Sequence, residues 1–265
     1  MTVVVPELAV EYGELVARRV HGRAAKVRWS FIRGTKPSPP PMTRMLRGGR
    51  GGAVRLKLYL SFLWFAANPP YDVTYPARAW AGLMGLADPE GNGARRVVDA
   101  ISWLEHHRFV EAQRRRGRPS RVVLLAEDGS GAPYRPPHEA LADLRESDSV
   151  SDEALRENYW VQLPADFWRN GWVAVLSGPA VAMLLAILSD LANKPEFTEV
   201  WFSPFLARER FGLSEDTRTA GMRQLRDLQL VDVRRRSVSH DAFDFRRMRN
   251  TYVLDKARFA KRPDE

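Results

Sequence analysis

Cysteine is absent from the 265 residues. Its absence excludes disulfides, thiolate zinc sites and thiol catalysis, and is compatible with a cytoplasmic chain. No apolar run reaches the ~20 residues of a membrane span, so no membrane association is expected. The opening residues, MTVVVPELAVEYGELV, carry acids and no base ahead of their apolar part, which is not a secretory signal. No GxxxxGK[ST] phosphate loop is present, which excludes ATPases of that type. The histidines are His21, His106, His107, His138 and His240. They contain no zinc-spaced His-x-x-x-His pair and no His-x-His pair of rolling-circle nucleases. His106-His107 fall at a predicted helix end, where a cation is favoured. His240-Asp241 has no third partner for nucleophilic catalysis. The chain is therefore expected to have no enzymatic activity, metal or small-molecule cofactor.

What the sequence does have is positive charge, unevenly placed. The formal net charge is +9, which favours a polyanionic partner. From Val16 to Lys57 there are twelve Lys/Arg and no Asp or Glu. From Glu127 to Glu157 there are nine acids and three bases. Within the basic stretch, Arg33–Gly52 (RGTKPSPPPMTRMLRGGRGG) is rich in Pro and Gly and predicts a flexible or extended arm, with Trp29 and Phe31 as anchors ahead of it. Such an arm suits phosphates or a minor groove, or serves as a solvated linker. The acidic stretch reads as a linker with a short helix near Leu141–Leu144. It is either a solvated connector or a competitor of a polyanion for basic surface.

The segment Trp201–Arg236 is the most specific signal. Ser203-Pro204 predicts a capped helix start. Phe205, Leu206, Phe211 and Leu213 predict its apolar face, and Gly212 its end. Ser214 predicts the next cap, with Glu215 and Asp216 in the first turn. Gly221, Met222, Leu225 and Leu228 predict the inward face of the second helix. Leu230–Val233 alternates like a strand and runs into arginines. This order resembles the helix-turn-helix and first wing strand of winged-helix DNA-binding domains.

A second copy lies upstream. Leu104, Phe109-Val110 and Arg114-Arg115 match Leu225, Leu230-Val231 and Arg235-Arg236, each 121 residues later. Gly85-Leu86 matches Gly212-Leu213 across a six-residue gap that falls in the turn Ala87–Gly93. Each copy follows a long apolar stretch, Val54–Ala67 and Gly178–Ala192. Each precedes a strand that can close a hairpin, Arg121–Ala126 and Asn250–Leu254. Such repetition is itself a fold signal. The expected fold is α+β, mainly helical, with two winged helix-turn-helix domains in tandem. The boundaries are 1–49 for a basic N-terminal arm with Pro/Gly-rich linker, 50–127 for the first winged helix, 128–157 for the acidic linker and 158–265 for the second winged helix.

The resemblance implies double-stranded DNA as partner, with the second helix of each motif in the major groove and the hairpin on backbone or minor groove. In the second copy the candidate groove residues are Thr217, Arg218, Thr219, Arg223 and Arg226. Arg223 leads them, because arginine can bond a guanine edge twice. Arg218 stands where a small apolar residue is usual and is expected to snorkel outward. The second wing, RRRSVSHDAFDFRRMR, offers Arg234, Arg235, Arg236, Arg246, Arg247 and Arg249 to phosphates, with Phe243 and Phe245 pinning the hairpin. In the first copy Val97, Ala100, Ile101 and Leu104 predict the core face. Arg95, Arg96 and Ser102 point outward beside Val98 and Asp99. The first wing carries Arg114, Arg115, Arg116 and Arg118. The aromatics Trp64, Phe65, Tyr71, Tyr75 and Trp80 read as core or as a dimer surface.

The layout, and the segment Tyr159–Leu191 with its short strand, loop and long apolar helix, is similar to plasmid replication initiators of the two-winged-helix type. Two-domain transcription regulators share the layout, and segregation or architectural proteins are a further alternative. A homodimer is expected, since one winged helix reads few base pairs and two-fold symmetry lengthens the site. Its contact is placed on the first domain. The implied location is cytoplasmic, on nucleoid or plasmid.

Overall fold

The apolar stretches predicted to be long helices form two helices buried on almost every side, as expected of helices without a polar face. The computed structural model describes residues 3–34, 38–47, 49, 51–147, 150–192, 194–195, 197–238 and 247–265. The chain opens with α1 (Glu7–Arg19), β1 (Ala25–Arg28), α2 (Trp29–Ile32) and α3 (Pro41–Leu46). The first buried helix, α4 (Gly52–Phe65), leads to β2 (Asp72–Thr74), α5 (Ala77–Leu83), α6 (Asn92–His106) and the hairpin β3 (Val110–Arg115) and β4 (Arg118–Leu124). Next come α7 (Pro137–Arg145), α8 (Asp152–Glu157), β5 (Trp160–Leu163), α9 (Asp166–Arg169) and α10 (Trp172–Val175). The second buried helix, α11 (Gly178–Leu191), precedes α12 (Pro204–Phe211), α13 (Glu215–Asp227), β6 (Val231–Ser237) and β7 (Met248–Leu254). The architecture is mixed α/β, about half helical, with small antiparallel sheets. Among the described residues no helix is long and apolar enough to cross a membrane.

The two halves repeat one order of elements. In each, a buried helix is followed by a short extended segment, two helices and a hairpin. The short segment pairs with the last strand both times: Val73 opposite Val122, and Val200 opposite Tyr252. The turn entering each hairpin has the same backbone. Arg108 and Gln229 both take positive φ, 62° and 59°. The following residues, Phe109 and Leu230, each donate an N–H to the carbonyl five residues back, Leu104 and Leu225, at 2.9 Å. Gly85 and Gly212 are left-handed, φ 63° and 64°, a conformation glycine adopts without a Cβ penalty.

One apolar cluster runs through both halves. Strand β1 pairs antiparallel with β5, Val27 opposite Val161. Trp64 of α4 stacks flat on Trp168 of α9, centroids 4.4 Å apart. On the far side of α11, Gly221 of α13 lies so close that a Cβ there would meet the Pro179 carbonyl oxygen at 2.4 Å. Only glycine permits that crossing.

Three expectations are corrected by this packing. The stretch Arg33–Gly52 is not a free arm: α3 buries Pro41, Met42, Thr43 and Met45, and its residues 35–37, 48 and 50 lie outside the described ones. Pro and Gly do not build a core alone, but here the second half supplies the surface. Thr43 Oγ1 donates to the Phe211 carbonyl, and Arg47 Nη2 to the Gly212 carbonyl at 2.9 Å. Trp29 and Phe31 do anchor: Phe31 is fully buried against Tyr59 and Trp29 meets Tyr159 edge-on. The acidic stretch is more than a connector, since α7 buries Leu141 and Pro133 bridges Leu125. The predicted helix at Leu141–Leu144 lies inside α7. Finally, Phe205 is exposed. Ala207 and Phe211, four apart, form the inward line of α12, and Phe205 falls off it. Trp64 and Trp80 are core, with Phe65 and Tyr75 packed on them.

Lys57 sits inside α4, its ammonium donating to the Ala174 carbonyl at 3.2 Å. Burial, aided by the Arg96 charge, pushes its pKa down to about 8. Between about pH 8 and the ordinary value of 10.5 the unfolded chain holds a proton that the folded chain has released. Stability therefore rises with pH across that window. Lys57→Met is expected to stabilise the chain at pH 7 by roughly 2 kcal/mol. That is about 3 for the relieved shift, less about 1 for the lost carbonyl bond. Urea melts at neutral and alkaline pH test this, since the variant should also lose the alkaline rise. A variant no more stable than the parent at neutral pH would contradict it.

Candidate nucleic-acid interface

The helix pair α12 and α13 of the second half is built as its residues dictate. Ser203 Oγ accepts the Leu206 N–H (3.0 Å) and caps α12. Gly212 ends it. Ser214 Oγ accepts the Thr217 N–H (3.2 Å) and caps α13, with Glu215 and Asp216 in its first turn. Gly221, Met222, Leu225 and Leu228 are buried, so the helix is held from behind. The opposite side carries an exposed stripe, Thr219, Arg223 and Arg226, spaced four and three apart. Among the described residues Arg223 makes no ion pair. Arg226 is bonded to its neighbour Asp227 (2.8 Å) on the surface, a pair of small worth.

Two of the candidate groove residues are placed otherwise. Thr217 is half-buried, its hydroxyl bonded to that of Ser214, so it belongs to the cap. Arg218 does not snorkel out: its side chain is 15% exposed and leans toward Glu215 at 3.8 Å. It precedes the exposed stripe by one position, and one residue is about 100° around a helix.

The second hairpin is basic but partly neutralised. Arg234 and Arg236 share one face of β6, and both bond Glu199, which also accepts the Thr251 hydroxyl. Hydrogen bonds from Arg236 and then Thr251 hold the Glu199 carboxyl down at about 2. Arg236 stands opposite Arg249 across the ladder, a like-charge pairing that costs stability unless shielded. Glu199 takes one guanidinium, and the Trp201 ring takes the other at 4.7 Å. Arg235, on the alternate face, and Arg247 are exposed and make no ion pair among the described residues. Arg246, Phe243, Phe245 and His240 lie outside the described residues. The closing strand begins at Met248, two residues ahead of the expected Asn250.

The first half shows the complementary pattern. Helix α6 buries Val97, Ala100 and Leu104, with Ile101 half-buried. Arg95, Arg96, Val98, Asp99 and Ser102 are exposed. Arg114 is tied to Glu105 (2.7 Å). Arg115, Arg116 and Arg118 surround the left-handed turn residue Gly117, exposed and without ion pairs among the described residues. Strand β4 starts at Arg118 rather than at Arg121, and Arg121 bonds Asp72 of β2. His107 Nδ1 lies 2.8 Å from the Trp103 carbonyl and its ring stacks on Trp103, which fits a helix-end role.

Glu199 and Glu105 are the residues that sequence reasoning passed over. The available signal was weak: an isolated acid beside the strand that closes an arginine-rich hairpin. Glu199→Gln is expected to release Arg234 and Arg236 and to steepen the salt dependence of polyanion binding by about one to two units. Retention of labelled duplex on the protein across a salt series measures this. An unchanged slope would mean that both arginines stay off the ligand.

Comparisons with family models, curated proteins and solved structures gave no match to this chain.

Proposed function

We propose that the chain is a tandem winged-helix protein that binds double-stranded DNA. The observation that carries this reading is the repeat itself. The same helix, short strand, helix, helix and hairpin order occurs twice, and each second helix has a buried back and an exposed front beside a basic hairpin. The halves differ in a way that suggests divided labour. Among the described residues, the second presents Arg223 without an ion pair beside Thr219, and a hairpin partly neutralised by Glu199. The first presents Arg95 and Arg96, likewise without ion pairs, on a helix blunted by Val98 and Asp99, and a hairpin whose Arg115, Arg116 and Arg118 make none. The second half then reads bases and the first grips phosphates.

Within DNA binding, origin recognition as a plasmid-type replication initiator is the reading favoured here. The segment from β5 through α11 supports it: a short strand and a long apolar helix open the second half as the resemblance implies, with the short helices α9 and α10 where a loop was expected. Iterated repeats retained beside the gene would support it further.

Gel shift on a genomic fragment library in about 100 mM salt tests the reading. No retained fragment, even at salt low enough to keep phosphate contacts, would sink it. Arg223→Ala is expected to cost about 1–3 kcal/mol at the preferred site and little at others. Arg235→Ala should weaken all sequences alike and flatten the salt slope by about one unit. Identical behaviour of the two variants across sequences would reject the assignment of helix and hairpin. Homodimerisation is part of this proposal, and sedimentation of the full chain with and without a two-site duplex measures it.

A further inference from the structure

The two-stranded sheet between the halves has one partly closed edge and one open edge. The Trp29 N–H donates to the Tyr159 carbonyl (2.7 Å), in line with the register Val27 opposite Val161 and Ala25 opposite Leu163. Main-chain groups of an antiparallel strand point alternately to its two sides. On β1 the outward residue Arg28 gives its N–H to Glu127 Oε1 at 3.0 Å, which closes the Arg28 end of that side. On β5 the outward residues are Trp160 and Gln162. Among the described residues, their N–H and C=O groups have no partner on that side.

The open edge faces a groove of about 480 Å³. Its far wall is the end of α11, Leu188 and Leu191, with Leu141 of α7 beside them. Among the described residues its rim carries Arg145, Lys194 and Lys256 and no acid. All three cations are exposed and make no ion pair among the described residues. An unpaired strand edge is a template for another strand, and here it is combined with an apolar wall and a single sign of charge.

We infer that this groove receives an extended acidic peptide of a partner protein, which adds to β5 as a third strand. A nucleic-acid backbone would satisfy the cations, but its phosphates only accept hydrogen bonds and would leave the outward carbonyls of Trp160 and Gln162 unmet. A peptide supplies both donors and acceptors, with alternate side chains for the apolar wall and the basic rim. This inference does not rest on the DNA reading.

The probe is a fluorescein-labelled heptapeptide alternating glutamate and valine, titrated into the full chain and read by anisotropy. Binding in the micromolar range is expected, with slower amide exchange at Trp160 and Gln162. Methylating the peptide amides should weaken binding about tenfold or more, as should the surface double variant Lys194→Glu/Lys256→Glu, since roughly 1.4 kcal/mol corresponds to a factor of ten. A heptapeptide alternating lysine and valine should not bind. Absence of binding by the acidic peptide overturns the inference. Equal binding of the methylated peptide overturns it too, because charge alone would then suffice. If the double variant loses affinity for duplex DNA while the parent ignores the peptide, the rim is a phosphate contact and the peptide site is rejected.

Discussion

Arg28→Ala is expected to destabilise the chain by about 3–5 kcal/mol, the scale for removing one partner of a buried charge pair. Arg28 occupies the last position of β1, and its side chain is a hub. Nε donates to Glu127 Oε2 (2.8 Å), Nη1 to Asn158 Oδ1 and Nη2 to the Arg135 carbonyl. One guanidinium thus ties the end of the first half, the acidic stretch and the approach to β5. The Glu127 carboxylate is fully buried, and burial raises its pKa even with Arg28 beside it. Without Arg28 that charge has no counter-ion. The sign of the pH dependence follows. Above the raised pKa the variant carries an uncompensated buried anion and the loss is largest. As pH falls through that pKa, Glu127 takes a proton and part of the loss is recovered. Arg28→Lys should fall between, since an ammonium is a point charge without the planar fork. Urea unfolding across a pH series from neutral downward measures the effect. A small loss at neutral pH would show that the pair does not hold this junction.

Trp168→Ala is expected to cost about 3–5 kcal/mol and to lower Tm by about 5–9 °C. Trp168 has no exposed surface. It stacks on Trp64 with an interplanar angle of 8°, and its Nε1 donates to Ser61 Oγ at 2.9 Å. Both partners belong to α4, so this side chain of the second half is part of the core of the first. The expected consequence is cooperative. The parent should melt in one transition, and the variant in one transition at lower temperature. Calorimetry decides between this and separate domains. Two transitions in the parent, only one of them moved by the substitution, would mean that the halves fold independently.

The local features of the helix pairs α5/α6 and α12/α13 were legible because their causes are local. A hydroxyl three residues ahead of a free N–H caps a helix, as Ser203 and Ser214 do. A glycine ends one, as Gly85 and Gly212 do. The 121-residue spacing between Phe109 and Leu230 also fixed equivalent turns, since the same hydrogen bond closes both. The N-terminal 1–49 and the acidic 128–157 were legible only as composition. Proline, glycine and charge describe a chain without its own core, and neither segment has one. Met42 and Met45 are buried because α3 packs against α2, α4 and α11.

Sequence alone therefore determined the repeated elements, the caps of α12 and α13, the inward faces of α6 and α13 and the positions of the arginines. These follow from spacing at helix and strand period and from side-chain chemistry within a few residues. Tertiary structure alone decided which arginines remain unpaired. Among the described residues Arg223 and Arg115 do, whereas Glu199 occupies Arg234 and Arg236 from more than thirty positions away. It alone also joined the halves through β1 and β5, through Trp64 and Trp168, and through Arg28 and Glu127. Partners so distant in the chain leave no periodic trace in it, and only the folded backbone brings them within hydrogen-bonding or packing distance.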